Sequence, residues 1–179
     1  MNNVQHNHGD QIDHTSGRSI LVTGGSGFVG RYLVKQLSKK DRTVISLYRH
    51  KLPEPMSQVY PVCSDMSSPD LLLAPLRGIH TVIHLAWEGS FINQGLNSSS
   101  SMETSQLTSN AKMTKNLLQA IKKSNVKRLI FVSVIGASAE ADSSFLREKY
   151  LTELLVLNSK VEEKIIEKVK STFKNLTNL

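Results

Sequence analysis

The chain has 179 residues, enough for one domain with a proper core, and its 39% hydrophobic and 21% charged residues match a soluble globular protein. The net charge of +7 is spread over several segments, with many lysines beside Glu and no basic run interleaved with aromatics, so nucleic acid is not the expected partner. One cysteine, Cys63, excludes an internal disulfide; no apolar run reaches the roughly 18 residues of a membrane span, and the polar start is unlike a signal peptide, which together read as a cytoplasmic protein.

Residues 1–17 are polar, without periodicity, and read as a disordered arm; His6, His8 and His14 lie there without the fixed geometry a metal site needs. The next stretch, I-L-V-T-G-G-S-G-F-V-G at 20–30, organises the rest. Ile20, Leu21 and Val22 read as a strand buried on both faces of a parallel sheet. Gly24, Gly27 and Gly30 follow with G-x-x-G-x-x-G spacing, and Phe28, Val29, Leu33, Val34 and Leu37 recur at helical intervals. Strand, glycine turn and helix in that order form a dinucleotide-binding fingerprint. Gly24 makes the tight turn, Gly27 lets a pyrophosphate approach the backbone, and Gly30 lets the helix pack closely. The helix N-terminus offers free N–H groups and a partial positive charge to phosphate. Candidate cofactor contacts here are Gly24, Ser26, Gly27, Phe28, Val29 and Gly30.

T-V-I-S-L-Y at 43–48 predicts a second strand. About 20 positions past such glycines, a carboxylate selects the ribose 2′-hydroxyl and a basic residue accommodates a 2′-phosphate. This chain has Arg49, His50 and Lys51 there, which favours NADP(H) over NAD(H); the alternative is an exposed basic loop. Further strands are predicted at 59–63, 81–86 and 128–134, with a brief helix at 71–76 and an amphipathic helix from Asn110 through Thr114, Leu117, Leu118 and Ile121. The Ser-rich segment 97–109 reads as a loop or lid. Alternating strands and helices predict a Rossmann-like, doubly wound parallel sheet in three α/β/α layers.

T-G-G-S-G-F-V-G, S-D-M at 64–66, H-L-A-W at 84–87, N-A-K-M-T-K-N-L-L-Q-A from 110 and R-L-I-F-V-S from 128 occur in an order and at distances that resemble the extended or atypical short-chain dehydrogenase/reductase superfamily, the epimerase/dehydratase-like group. The resemblance covers about residues 18–158 and implies an NAD(P)-binding domain. It implies that Asp65 bonds the adenine amino group, that Met66 packs on the ring, that Leu85 and Ala86 line the ribose and diphosphate side, and that Asn110 helps hold the active-site lysine. Taken singly, Asp65 reads equally as a turn residue, His84 as a satisfied strand-end histidine and Asn110 as a helix cap.

The family's catalysis rests on a Ser or Thr after the fifth strand and a Y-x-x-x-K pair on one helical face. Lys149 stands at the lysine position, but the tyrosine position is Phe145, and Val134 follows Ser133 where a second Ser or Thr is usual. Tyr150 is one residue past Lys149 and points about 100° away around the helix, so it is no plain replacement. Lys149 and Ser133 remain the catalytic candidates, with Lys149 also able to hold ribose. At the end of the chain, Val161, Ile165, Ile166, Val169, Phe173 and Leu176 fall three or four apart, predicting an amphipathic helix over 159–179 that packs on its own domain or meets a protein partner or second copy. The family's next strand and substrate domain are therefore expected to be missing, as in a truncated form. Two functions fit: an NADP(H)-dependent oxidoreductase acting on a nucleotide sugar or small carbonyl compound, or a cofactor-binding module without chemistry.

Overall fold

The computed structural model describes residues 19–40, 42–50, 52–88 and 108–159, and the backbone of 165–170. The N-terminal arm with its three histidines, Lys51 and nearly all of the expected Ser-rich loop lie outside the described residues. In chain order the elements are β1 (Ile20–Thr23), α1 (Phe28–Leu37), β2 (Val44–Tyr48), β3 (Val59–Cys63), α2 (Asp70–Leu73), β4 (Thr81–His84), α3 (Ser109–Lys122), β5 (Arg128–Ser133), α4 (Ser144–Leu157) and β6 (Ile165–Lys170).

The six strands run parallel in the order β3-β2-β1-β4-β5-β6. Because side chains alternate across a strand, each central strand feeds two cores. Leu21, Val82, Leu129 and Phe131 face one core, completed by Leu117, Leu118 and Ile121 of α3 and Val156 of α4. Ile20, Val22, Ile83, Ile130 and Val132 face the other, covered by Leu33, Val34 and Leu37 of α1. The three-layer expectation is met. The strand order reverses between β1 and β4, and a crevice opens there beyond the carboxyl ends of the strands.

The C-terminal expectation is corrected. Residues 165–170 form β6 rather than part of an amphipathic helix, pairing with β5 from Arg128↔Ile165 to Ser133↔Lys170. The segment I-I-E-K-V-K carries β-branched residues at 165, 166 and 169, which suit a strand as well as a helical stripe. Periodicity over six residues cannot separate the two, and the long-range partner decides: β5 offers a whole open edge. The strand that the family places after this helix is therefore present. No helix among the described residues is long and apolar enough to cross a membrane.

Candidate functional site

The glycine turn bears out its spacing. Gly24 has φ +71°, and a Cβ there would lie 2.7 Å from the Ala86 backbone nitrogen, so this position admits only glycine without displacing the loop after β4. At Gly30 a Cβ would meet the Gly24 carbonyl oxygen at 2.1 Å, which locks α1 against the turn. Gly27 differs: a Cβ there would touch only the Gly24 oxygen, at 3.2 Å, and otherwise project into open space. Gly27 is also the N-cap of α1, with no side chain capping the first turn and no acidic residue in it. Its surroundings are those an anionic diphosphate requires.

A cleft forms over the switch point. Gly24, Ser26 and Gly27 line it from β1, Leu47, Tyr48 and Arg49 from β2, and Ser64, Asp65 and Met66 from β3. Leu85, Ala86, Trp87 and Glu88 close it from β4, and Met113 from α3. The structure thus brings together eight of the sequence candidates, from Gly24 to Ala86. Phe28, Val29 and Gly30 are in α1 beside the cleft without lining it, and His50 is exposed outside it. Asp65 is a turn residue as well as a cleft residue: its Oδ1 accepts the Ser67 N–H at 3.0 Å. Met66 is buried, and its carbonyl accepts from the Asn116 side chain at 2.9 Å.

The sequence shows no carboxylate near Arg49, but the structure supplies one. Glu88, 39 residues further on, forms an ion pair with the Arg49 guanidinium. Asn110 fixes the backbone of Glu88: its Oδ1 accepts the Glu88 N–H at 2.6 Å, and its Nδ2 donates to the Glu88 carbonyl at 2.9 Å and to Glu148 Oε1 at 3.1 Å. Asn110 is no cap. Thr108 caps α3, accepting the Ala111 N–H at 3.2 Å.

His84 is the satisfied strand-end residue, and its bonds fix its tautomer. Thr114 Oγ1 donates to the Asn110 carbonyl at 2.9 Å, so toward His84 Nε2, 3.0 Å away, it accepts. The proton is therefore on Nε2, and Nδ1 accepts from Thr23 Oγ1 at 2.7 Å. Thr23 Oγ1 in turn accepts the N–H groups of Leu85 and Ala86 at 3.2 and 3.1 Å. This chain of hydrogen bonds ties the loop after β4 to both β1 and α3. Burial pushes the imidazole pKa down to about 3, with the Lys149 ammonium adding to the effect.

The catalytic candidates form a second cluster, separated from the cleft by Trp87. Lys149 is buried on the face of α4 that carries Thr152, Glu153 and Val156 inward. Its Nζ donates to the Val132 carbonyl at 3.3 Å and lies 3.8 Å from the Trp87 ring centroid and 5.1 Å from that of Phe131. Burial lowers its pKa to about 8, against the opposing pull of Glu148 and Glu153. Ser133 is buried and donates to Glu153 Oε1, so its hydroxyl is turned toward α4. Phe145 meets Trp87 edge to face, with ring centroids 5.7 Å apart. Neither Lys149 nor Ser133 lines the cleft. Trp87 and Glu88 also line the cleft, and the sequence did not single them out because their partners Lys149 and Arg49 are remote in the chain.

The sequence of residues 20–154 matches the NAD dependent epimerase/dehydratase family. The chain belongs to that family. A UDP-glucose 4-epimerase of Vibrio cholerae is 34% identical over 133 residues, 72% of this chain and 38% of that protein. Subunit 9 of the NADH dehydrogenase (ubiquinone) 1 alpha subcomplex, mitochondrial, from Arabidopsis thaliana is 31% identical over 163 residues, 84% of this chain and 38% of that protein. Among solved structures, MoeE5 in complex with UDP-glucuronic acid and NAD superposes with a TM-score of 0.65 at 25% identity, over 85% of this chain and 54% of that one. The chain thus spans about two fifths of the length of these two curated relatives and about half of the structural one.

Proposed function

We propose that this chain binds a nicotinamide dinucleotide, NADP(H) in preference to NAD(H), in the cleft over the β1–β4 switch point. One observation carries the reading: Gly27, with its open space and uncapped helix start, shares a cleft with Arg49, Asp65 and Met66. Gly27 and the start of α1 would hold the diphosphate, and the second oxygen of Asp65 would accept the adenine amino group beside Met66. Arg49 would donate to a 2′-phosphate. The cofactor, when bound, supplies hydride transfer. Substrates of the nucleotide-sugar or small-carbonyl class fit the family. The exposed thiol of Cys63 suits a reducing cytoplasm. The partner-binding helix expected at the C-terminus no longer supports a partner proposal, since residues 165–170 are strand.

A second reading, cofactor binding without the family's tyrosine chemistry, is favoured by Phe145. Its ring packs perpendicular to Trp87 and carries no phenol to offer a proton, and Trp87 covers the Lys149 ammonium. Trp87 is the only tryptophan of the chain and lines the cleft, so its fluorescence reports occupancy. Saturable quenching by NADPH, with energy transfer to the reduced nicotinamide, is the expected result; unchanged emission would refute binding. Hydride exchange surviving Lys149→Ala would exclude a lysine-centred mechanism, and its absence with every carbonyl tested favours the second reading.

A further inference from the structure

Arg49 directly follows β2 and Glu88 lies in the loop after β4, the two strands that flank β1, and both line the cleft and form an ion pair there. Among the described residues lining this cleft, Arg49 is the one cation, against the two carboxylates of Asp65 and Glu88. The Glu88 carboxylate is presented rather than merely nearby, since Asn110 holds both its peptide N–H and its carbonyl. The end of β2 is where this fold places the adenosine ribose, so a 2′-phosphate there would meet a guanidinium whose Nη1 already donates to Glu88 and whose charge Glu88 already partners. Resting on the dinucleotide reading above, we infer that Glu88 is a specificity-determining residue: its carboxylate competes with a 2′-phosphate for Arg49 and holds the preference for NADP(H) below what Arg49 alone would give.

The competition is selective because it involves one charge at one ribose position. A ligand with a 2′-hydroxyl leaves the ion pair intact, whereas a 2′-phosphate exchanges one anion for another on the same guanidinium. The phosphate is the stronger partner through its higher charge and bidentate geometry, and Glu88 subtracts from that advantage. The pair is partly exposed, so the subtraction is modest and screened by salt.

The probes are adenosine 5′-monophosphate and adenosine 2′,5′-bisphosphate, which differ only in the 2′ group, titrated calorimetrically into the full chain and its Glu88→Gln variant. Glutamine keeps the shape and the Asn110 clamp on the backbone. Binding of the bisphosphate should tighten about fivefold in the variant while that of the monophosphate stays within about twofold, with the gain shrinking at high salt. Equal change for both probes, or none for the bisphosphate, would overturn the competition. So would a gain of the same size in an Arg49→Gln background, which would assign it to charge removal alone. Failure of both probes and of NADPH to bind either protein would overturn the dinucleotide reading itself, a result distinct from the others.

Discussion

The His84 ring folds neutral between Thr23 and Thr114, and an added proton on Nδ1 would put two donors against each other where the Thr23 hydroxyl now donates. Its pKa falls from 6.5 to about 3 on folding, so between those values the unfolded chain binds the proton and the folded one does not. Stability is then lost as pH falls below 6.5. Relative to a His84→Gln variant, the wild type should lose about 2 kcal/mol more on going from pH 7 to pH 5, read by urea unfolding at both pH values. Parallel losses would mean that the ring is not the acid-sensitive group. At this scale the sequence showed which residues belong to the cleft when they sit at strand ends: Asp65, Met66, Leu85 and Ala86 follow from their motifs. It did not show Glu88 beside Arg49 or Trp87 over Lys149. Those contacts join residues far apart in the chain, and no local spacing encodes them.

Among the elements, β1, α1, β4, α3 and β5 were legible because each has an unambiguous pattern: β-branched runs buried on both faces, or apolar residues on one helical stripe. Two departures have physical causes. The short helix α2 covers Asp70–Leu73 rather than running to Leu76, a single turn whose bounds no periodicity can fix. The strand β6 was hidden because Val161, Ile165, Ile166 and Val169 satisfy a helical repeat locally, while the parallel ladder to β5 is non-local. Hydrogen exchange separates the alternatives. Among the described strands, β6 ends the sheet and pairs only with β5, so its amides should be protected at alternate positions from Ile165 to Lys170. A continuous protected run there would restore the helix.

For the molecule as a whole, the strand order 3-2-1-4-5-6 converges the ends of β1, β2, β3 and β4 on one cleft, and the proposed function requires that cleft to hold a dinucleotide. Gly27 is the position at which to test it, because its backbone, φ −72° and ψ 173°, is one that valine adopts readily. A side chain there meets the Gly24 oxygen at 3.2 Å and otherwise enters the cleft, so Gly27→Val should fold and fill the diphosphate space. The decisive measurement is calorimetric titration of wild type and Gly27→Val with NADPH and NADH. Saturable wild-type binding, tighter for NADPH, is expected, with a loss of at least about a hundredfold in a variant that unfolds at a similar temperature. If neither nucleotide binds the wild type, or if the folded variant binds both as well as the wild type does, the cleft does not hold the dinucleotide.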